Sequence, residues 1–89
     1  MTLEELEAEH DCQIFIVPTV LKRSVLFRPL IVKWFNNPII FYYDFEIEGW
    51  NRCYYSECWK SHSELYGFET RQEAIEAIKT AIQNELLNI

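Results

Sequence analysis

Apolar and polar residues alternate along the middle of the chain, over residues 39–48. The apolar set is Phe41, Tyr43, Phe45 and Ile47, and the set between them is Tyr42, Asp44, Glu46 and Glu48. Successive side chains of a β-strand point to opposite faces, so this period of two indicates a strand with one dry and one wet face. The pattern predicts a strand over residues 39–48 that packs one face against a core.

Two strands are predicted before it. Residues 13–17 are β-branched and aromatic and favour a first strand that Pro18 closes, and residues 24–35 favour a second. Pro29 has no amide hydrogen to donate to a neighbouring strand. It therefore implies an edge strand, a bulge or a break, of which we expect the edge position.

Turn-forming residues separate the later strands. The Asn-Asn-Pro segment at residues 36–38 supplies one turn, and the Gly-Trp-Asn segment at residues 49–51 predicts a reversal into a strand over residues 52–60. Residues 61–67 are polar and predict a loop or a short hairpin tip. The strands are thus expected to run antiparallel in succession.

Helices are predicted at both ends. Thr2 and Glu5 have the spacing of a capping box, which favours a short helix over residues 2–11, with a mobile acidic arm as the alternative. Thr70 and Glu73 repeat that spacing before a longer helix, over residues 71–87. Its apolar residues recur at steps of three and four: Ala74, Ile75, Ile78, Ala81, Ile82 and Leu86.

The predicted fold is therefore a single α+β domain over residues 1–89. It consists of an antiparallel meander of three to four strands, a C-terminal amphipathic helix packed on one face and a short N-terminal helix. The apolar stripe of the C-terminal helix is expected to cover the face formed by residues 41, 43, 45 and 47.

Net charge and composition limit the partners and the cellular location that can be expected. The net charge is −6, and residues 1–12 contain five acids without a Lys or Arg. Nucleic-acid binders concentrate basic residues, so nucleic acid is not expected as a partner. The chain has no apolar run of about 20 residues and therefore no predicted membrane span. Three cysteines and no apolar leader favour a cytoplasmic protein.

Three residue groups are candidates for chemistry. Cys53, Cys58 and His62, with His10 and Cys12, have ligand types suited to zinc, but their spacing differs from that of zinc knuckles and ribbons, so no metal or other cofactor is predicted. Cys12 with His10 is a weak candidate for a reactive thiol, because the neighbouring acids would raise its pKa.

The second group is acidic. Asp44, Glu46 and Glu48 would lie on the wet face of one strand, with Glu57 facing them. The simplest interpretation is a solvated strand face. Alternatives are cation binding, paired acid and base, or mimicry of nucleic-acid charge towards a basic protein. No positioned His, Lys or glycine loop accompanies these acids, so no enzyme is predicted.

The third group is aromatic and too large for one helix to bury: Trp34, Tyr42, Tyr43, Trp50, Tyr54, Tyr55, Trp59 and Tyr66. Exposed Trp and Tyr clusters are typical of protein interfaces. The alternative is that the N-terminal helix covers the second face of the sheet.

We accordingly predict a small non-enzymatic interaction protein, a regulator, assembly factor or inhibitor, that binds a protein partner or itself as a homodimer. If the acidic residues contribute to binding, the partner would present a basic surface. A phage-type inhibitor that imitates nucleic-acid charge is one example of such a protein. The predicted binding residues are Trp34, Tyr42, Asp44, Glu46, Glu48, Trp50, Tyr54 and Trp59. The alternative class is a small-molecule or zinc site formed by Trp50, Tyr54, Trp59, Cys53, Cys58 and His62.

Overall fold

A computed structural model describes residues 2–34, 36–54 and 67–87 of the chain. The elements in chain order are α1 (Leu3–His10), β1 (Cys12–Leu21), β2 (Ser24–Lys33), β3 (Ile39–Asp44), β4 (Gly49–Tyr54) and α2 (Arg71–Gln83). The strands pair antiparallel in the spatial order β1-β2-β3-β4. The predicted α+β fold, a meander with a helix at each end, is confirmed.

Both helices start at the predicted threonine N-caps, with a complete capping box at Thr2. The Thr2 hydroxyl accepts a hydrogen bond from the Glu5 N–H at 3.2 Å, and the Glu5 carboxylate accepts one from the Thr2 N–H at 3.3 Å, which lowers the pKa of Glu5. The Thr70 hydroxyl likewise accepts from the Glu73 N–H at 3.1 Å. These bonds satisfy N–H groups that have no partner within the helix.

The core lies between the two helices and one face of the sheet. Its buried members are Leu6, Cys12, Ile31, Phe41, Ile78, Ile82 and Leu87. Since Leu6 belongs to α1 and Ile78 to α2, both helices pack on the same face. The alternative in which the N-terminal helix covers the second face is therefore wrong. The last helix also ends earlier than predicted, at Gln83, and Leu86 and Leu87 follow in a turn.

β1 is an edge strand and continues through Pro18, where the sequence predicted its end. The Glu7 carboxylate accepts a hydrogen bond from the Ile14 N–H at 2.8 Å, so the backbone of Ile14 faces away from β2. Pro18 lies four residues further along and has the same orientation. Its missing amide hydrogen therefore removes no bond of the ladder, and the carboxylate and the proline together protect this edge.

β2 lies between β1 and β3, so the expectation of an edge position is wrong. Pro29 is tolerated because it falls between two pairings on the same side of β2. The ladder with β3 covers only Leu30–Lys33. Beyond Pro29, the backbones of Phe27 and Phe68 exchange two hydrogen bonds of 2.8 Å each.

β3 ends at Asp44, four residues before the predicted end. Residues 45–48 form a turn in which the Glu46 N–H donates to Asp44 Oδ1 at 3.0 Å and Glu48 adopts a φ of 50°. Ile47, expected on the dry face, is 62% exposed. The predicted reversal at residues 49–51 is also wrong, because these residues begin β4.

Gly67 allows the approach of the chain to β2. A Cβ atom at Gly67 would lie 2.8 Å from the Cβ of Leu26 and 3.0 Å from the amide nitrogen of Phe27. Backbone atoms cannot move aside without disturbing the pairing of Phe27 with Phe68. We expect Gly67→Ala to reduce the free energy of unfolding by about 1–3 kcal/mol, measured by urea denaturation.

The second glycine provides the control. A Cβ atom at Gly49 would meet only the Ile47 carbonyl oxygen, at 3.8 Å. Gly49→Ala should change the free energy of unfolding by less than about 1 kcal/mol. Equal effects of the two substitutions would contradict a specific role for the close approach at Gly67.

Candidate functional site

The sheet has two faces with different surroundings. The cross-strand partners Ile14, Ile31 and Phe41 are on the face that packs against the helices. Because side chains alternate, the intervening positions form the other face. We call this the open face; its members on the first three strands are Gln13, Phe15, Val17, Thr19, Leu26, Arg28, Leu30, Val32, Ile40, Tyr42 and Asp44. Neither described helix packs on it.

An apolar row crosses the open face. Phe15 pairs with Leu30, and Leu30 pairs with Tyr42 on β3. Phe15 is 44% exposed and Val17, two residues along β1, is 37% exposed, whereas Leu30 and Tyr42 are half-buried. A ring and a branched side chain are therefore side by side in contact with solvent, next to further apolar surface.

Trp34 and Asp44 lie at the margins of this face. The Trp34 indole N–H donates to Gln13 Oε1 at 3.0 Å, which orients a ring that is 58% exposed. Asp44 ends β3 and accepts the turn hydrogen bond from Glu46. Of the predicted binding residues, Trp34, Tyr42 and Asp44 thus belong to the open face.

The other predicted aromatic residues are not on the same face. Trp50 pairs with Tyr43 and packs partly buried against the core, and Tyr54 pairs with Ile39 on that side of the sheet. The prediction of one aromatic face that includes Trp50 and Tyr54 is therefore wrong. Trp59, Tyr55 and Tyr66 lie outside the described residues.

Trp50 instead belongs to a packed aromatic cluster. Tyr43 lies with its ring centroid 5.9 Å from Trp50, 4.8 Å from Phe45 and 5.0 Å from Phe68. Phe45 is also 5.0 Å from Phe68. These inclined and edge-to-face arrangements are typical of stabilising aromatic pairs. The cluster connects the end of β3 to the segment before α2, so its role is structural.

The expected row of carboxylates is not formed. Only Asp44 lies on a strand, whereas Glu46 and Glu48 occupy the exposed turn that follows it. The three residues therefore form an acidic turn beside the open face in place of an evenly spaced row on it. Glu57 lies outside the described residues. The charge-mimicry hypothesis thereby loses the strand row as support and retains only the acidic N-terminal residues.

The cysteines and histidines give no metal site among the described residues, which contain no group of three His, Cys, Asp or Glu suited to a metal ion. Cys12 is a buried free thiol, whereas Cys53 is disulfide-bonded and so has no thiolate to offer. His10 contributes its carbonyl oxygen, which accepts from Lys33 Nζ at 2.7 Å. Cys58 and His62 lie outside the described residues.

Two clefts adjoin the helix side of the fold. One of about 260 Å³ is lined by Phe41, Trp50, Asn51, Arg52 and Leu86. The other, of about 300 Å³ between α1 and α2, is lined by Leu6, Glu9, His10, Lys79, Ile82 and Gln83. Sites for small molecules typically enclose roughly 300–1,000 Å³, so both are at or below the small end of that range.

Comparison with protein-family models, curated proteins and solved structures finds no match for this chain. Within the described residues, neither helix is both long enough and apolar enough to cross a membrane.

Phe15 and Val17 are the site residues that the sequence analysis missed. Residues 13–17 were correctly read as part of a strand, but their alternation was not followed to a second face. The signal was present, since Phe15 and Val17 alternate with Ile14 and Ile16. Only the register, which places Ile14 and Ile16 against the core, shows which set is exposed.

Cys12 provides a test of the buried core. Burial raises the pKa of its thiol, and only 6% of the residue is exposed. Since the thiolate is the reactive form, we expect slow alkylation of Cys12 by iodoacetamide at neutral pH, with a rate that rises as the pH increases. Peptide mapping of the native protein measures the rate.

The urea-unfolded chain is the reference for that rate. Unfolding exposes Cys12 and returns its pKa towards the ordinary value, so labelling should become much faster. Native labelling of Cys12 as fast as in the unfolded chain would contradict the buried position and revive the reactive-thiol hypothesis.

Proposed function

We propose that this chain is a small non-enzymatic protein-interaction module, which binds a protein partner or a second copy of itself through the open face of its sheet. The observation that carries the proposal is the exposure of Phe15 and Val17 beside the half-buried Leu30 and Tyr42. When a partner removes such apolar surface from water, the free energy of the complex is lowered by about 25 cal/mol per Å² buried.

Polar groups at the margins support the same function. The Trp34 indole and the acidic turn at residues 44–48 flank the apolar row. Interfaces combine an apolar centre with a polar rim, in which charged groups act mainly on specificity and association rate. The acidic turn favours a partner with basic residues around an apolar centre, which suits a regulator, assembly factor or inhibitor.

The small-molecule or zinc alternative has less support. Its proposed pocket required Trp50 and Cys53 to converge, but they lie at odd-numbered separation on β4 and point to opposite faces. The cleft that Trp50 does line is small, at about 260 Å³. Nothing on the described surface favours this alternative over the open face.

Capture of partners by immobilised protein tests the proposal. We expect Phe15→Ser to abolish retention of a partner that binds the unchanged protein, because the substitution removes the exposed ring from the apolar row of the open face. Retention is measured by quantitative mass spectrometry of the captured proteins and by sedimentation for self-association.

Tyr54→Ser is the matched control. Tyr54 is 49% exposed, close to the value for Phe15, but its register with Ile39 places it on the helix side of the sheet. It should leave retention unchanged. If a partner binds the Phe15→Ser variant as tightly as it binds the unchanged protein, the open face is not its binding site, provided that circular dichroism shows both variants folded.

A cytoplasmic location is part of the proposal and rests on the small number of cysteines. The disulfide at Cys53 opposes it, because such bonds persist mainly in oxidising compartments. In the cytoplasm we expect this bond to be reduced. Protein trapped with acid and alkylated while unfolded should then carry a label on all three cysteines, whereas one label only would place the protein in an oxidising compartment.

A further inference from the structure

The outer end of the β1–β2 hairpin, residues 18–25, projects beyond the backbone that is described on the other side of β2. β1 and β2 pair from Cys12↔Lys33 to Leu21↔Ser24, whereas β2 pairs on its other side with β3 over Leu30–Lys33 and with Phe68 at Phe27. We call residues 18–25 the hairpin arm. Its paired side chains Val20 and Val25 are 72% and 46% exposed. The arm therefore presents an apolar pair next to its turn.

The arm is also the basic part of the molecule. Between residues 12 and 43 the sequence contains no Asp or Glu, although the chain as a whole has a charge of −6. Lys22 and Arg23 of this stretch lie on the arm, whereas Lys33 lies beside α1 and donates to the His10 carbonyl oxygen. Lys22 and Arg23 form the exposed turn at the tip and make no ion pair with any described residue.

The acidic surface is on α1, which lies beside the other end of β1. Its Glu4, Glu5 and Glu9 are exposed, and residues 2–11 contain no Lys or Arg. Glu7 fixes α1 beside Ile14. From Ile14 to Leu21 the strand extends roughly 23 Å at about 3.3 Å per residue, more than two Debye lengths in ordinary buffer. In ordinary buffer the two charged regions are therefore largely screened from each other within one molecule.

We propose that the hairpin arm docks on the acidic α1 surface of a second copy of this chain, giving a head-to-tail association. Charge complementarity carries the assignment, and Val20 and Val25 supply apolar contact at its centre. Extended anionic surfaces such as membranes and nucleic acids fit less well, because they would repel the acids that cover the rest of the chain. The contact residues Val20, Lys22, Arg23 and Val25 are not members of the open face.

Sedimentation velocity tests the proposal through its salt dependence. Uniform repulsion between copies of charge −6 predicts less association at about 0.01 M salt than at about 1 M, whereas local attraction between arm and helix predicts more, because the Debye length increases from about 3 to about 30 Å. We expect association at low salt that is lost at high salt. A monomer at both salt concentrations would overturn the proposal.

Charge exchange identifies the surfaces. K22E/R23E and E4K/E9K should each be monomeric at low salt. Their equimolar mixture should associate, because each arm can then dock on a helix of the other variant, and the variant with all four substitutions should associate again. The control R52E/R71E changes the net charge by the same amount as K22E/R23E, at two exposed positions elsewhere, and should still associate. Loss in this control, or no recovery in the four-site variant, would overturn the proposal.

Two further measurements distinguish self-association through the arm from binding through the open face and from binding of the arm to other anionic surfaces. Phe15→Ser should associate at low salt like the unchanged chain, so failure of the open face and failure of the arm give different results. Vesicles containing phosphatidylserine and a short DNA duplex serve as probes of other anionic surfaces. Binding of either that requires Lys22 and Arg23, in a chain that stays monomeric, would replace the second copy as the occupant.

Discussion

The pairing of Phe27 with Phe68 is the constraint on which the rest of the structure depends. Two hydrogen bonds of 2.8 Å join β2 to the segment immediately before α2, and Gly67 permits that approach because it has no Cβ. The helix therefore begins at a fixed position beside the sheet. From there its apolar stripe lies over Ile31 and Phe41, and α1 completes the same core with Leu6. This long-range backbone pairing thus fixes where α2 begins relative to the sheet.

That contact also accounts for the two surfaces proposed to bind partners. Phe68 pairs with β2 where β3 would otherwise continue, so β3 is short and the β1–β2 hairpin extends alone past it. Placing both helices on one side leaves Phe15 and Val17 on the other. The interior position of Pro29 follows from the same arrangement, since it lies in the interval where the ladder passes from β3 to Phe68.

The sequence was a good guide to elements whose signals are local. The capping boxes at Thr2 and Thr70 and the spacing of apolar residues in the last helix are local patterns, and both helices begin where these predict. Strand ends were predicted less well because they depend on neighbours. Pro18 does not end β1, since its backbone faces the outer edge, and the alternation through Phe45 and Ile47 continues in sequence after the strand has turned.

The left-handed turn positions in this fold are occupied by residues other than glycine. The Gly-Trp-Asn segment at residues 49–51 predicted a reversal, yet neither glycine adopts a positive φ here. The left-handed positions among the described residues are instead Asp11, Lys22, Glu48 and Glu85, of which only Asp11 has a residue type known to favour them. For the same reason the candidate site could not be located from composition. A count of aromatic residues shows that some must be exposed, but the face on which each lies is decided by these turns and by the resulting register.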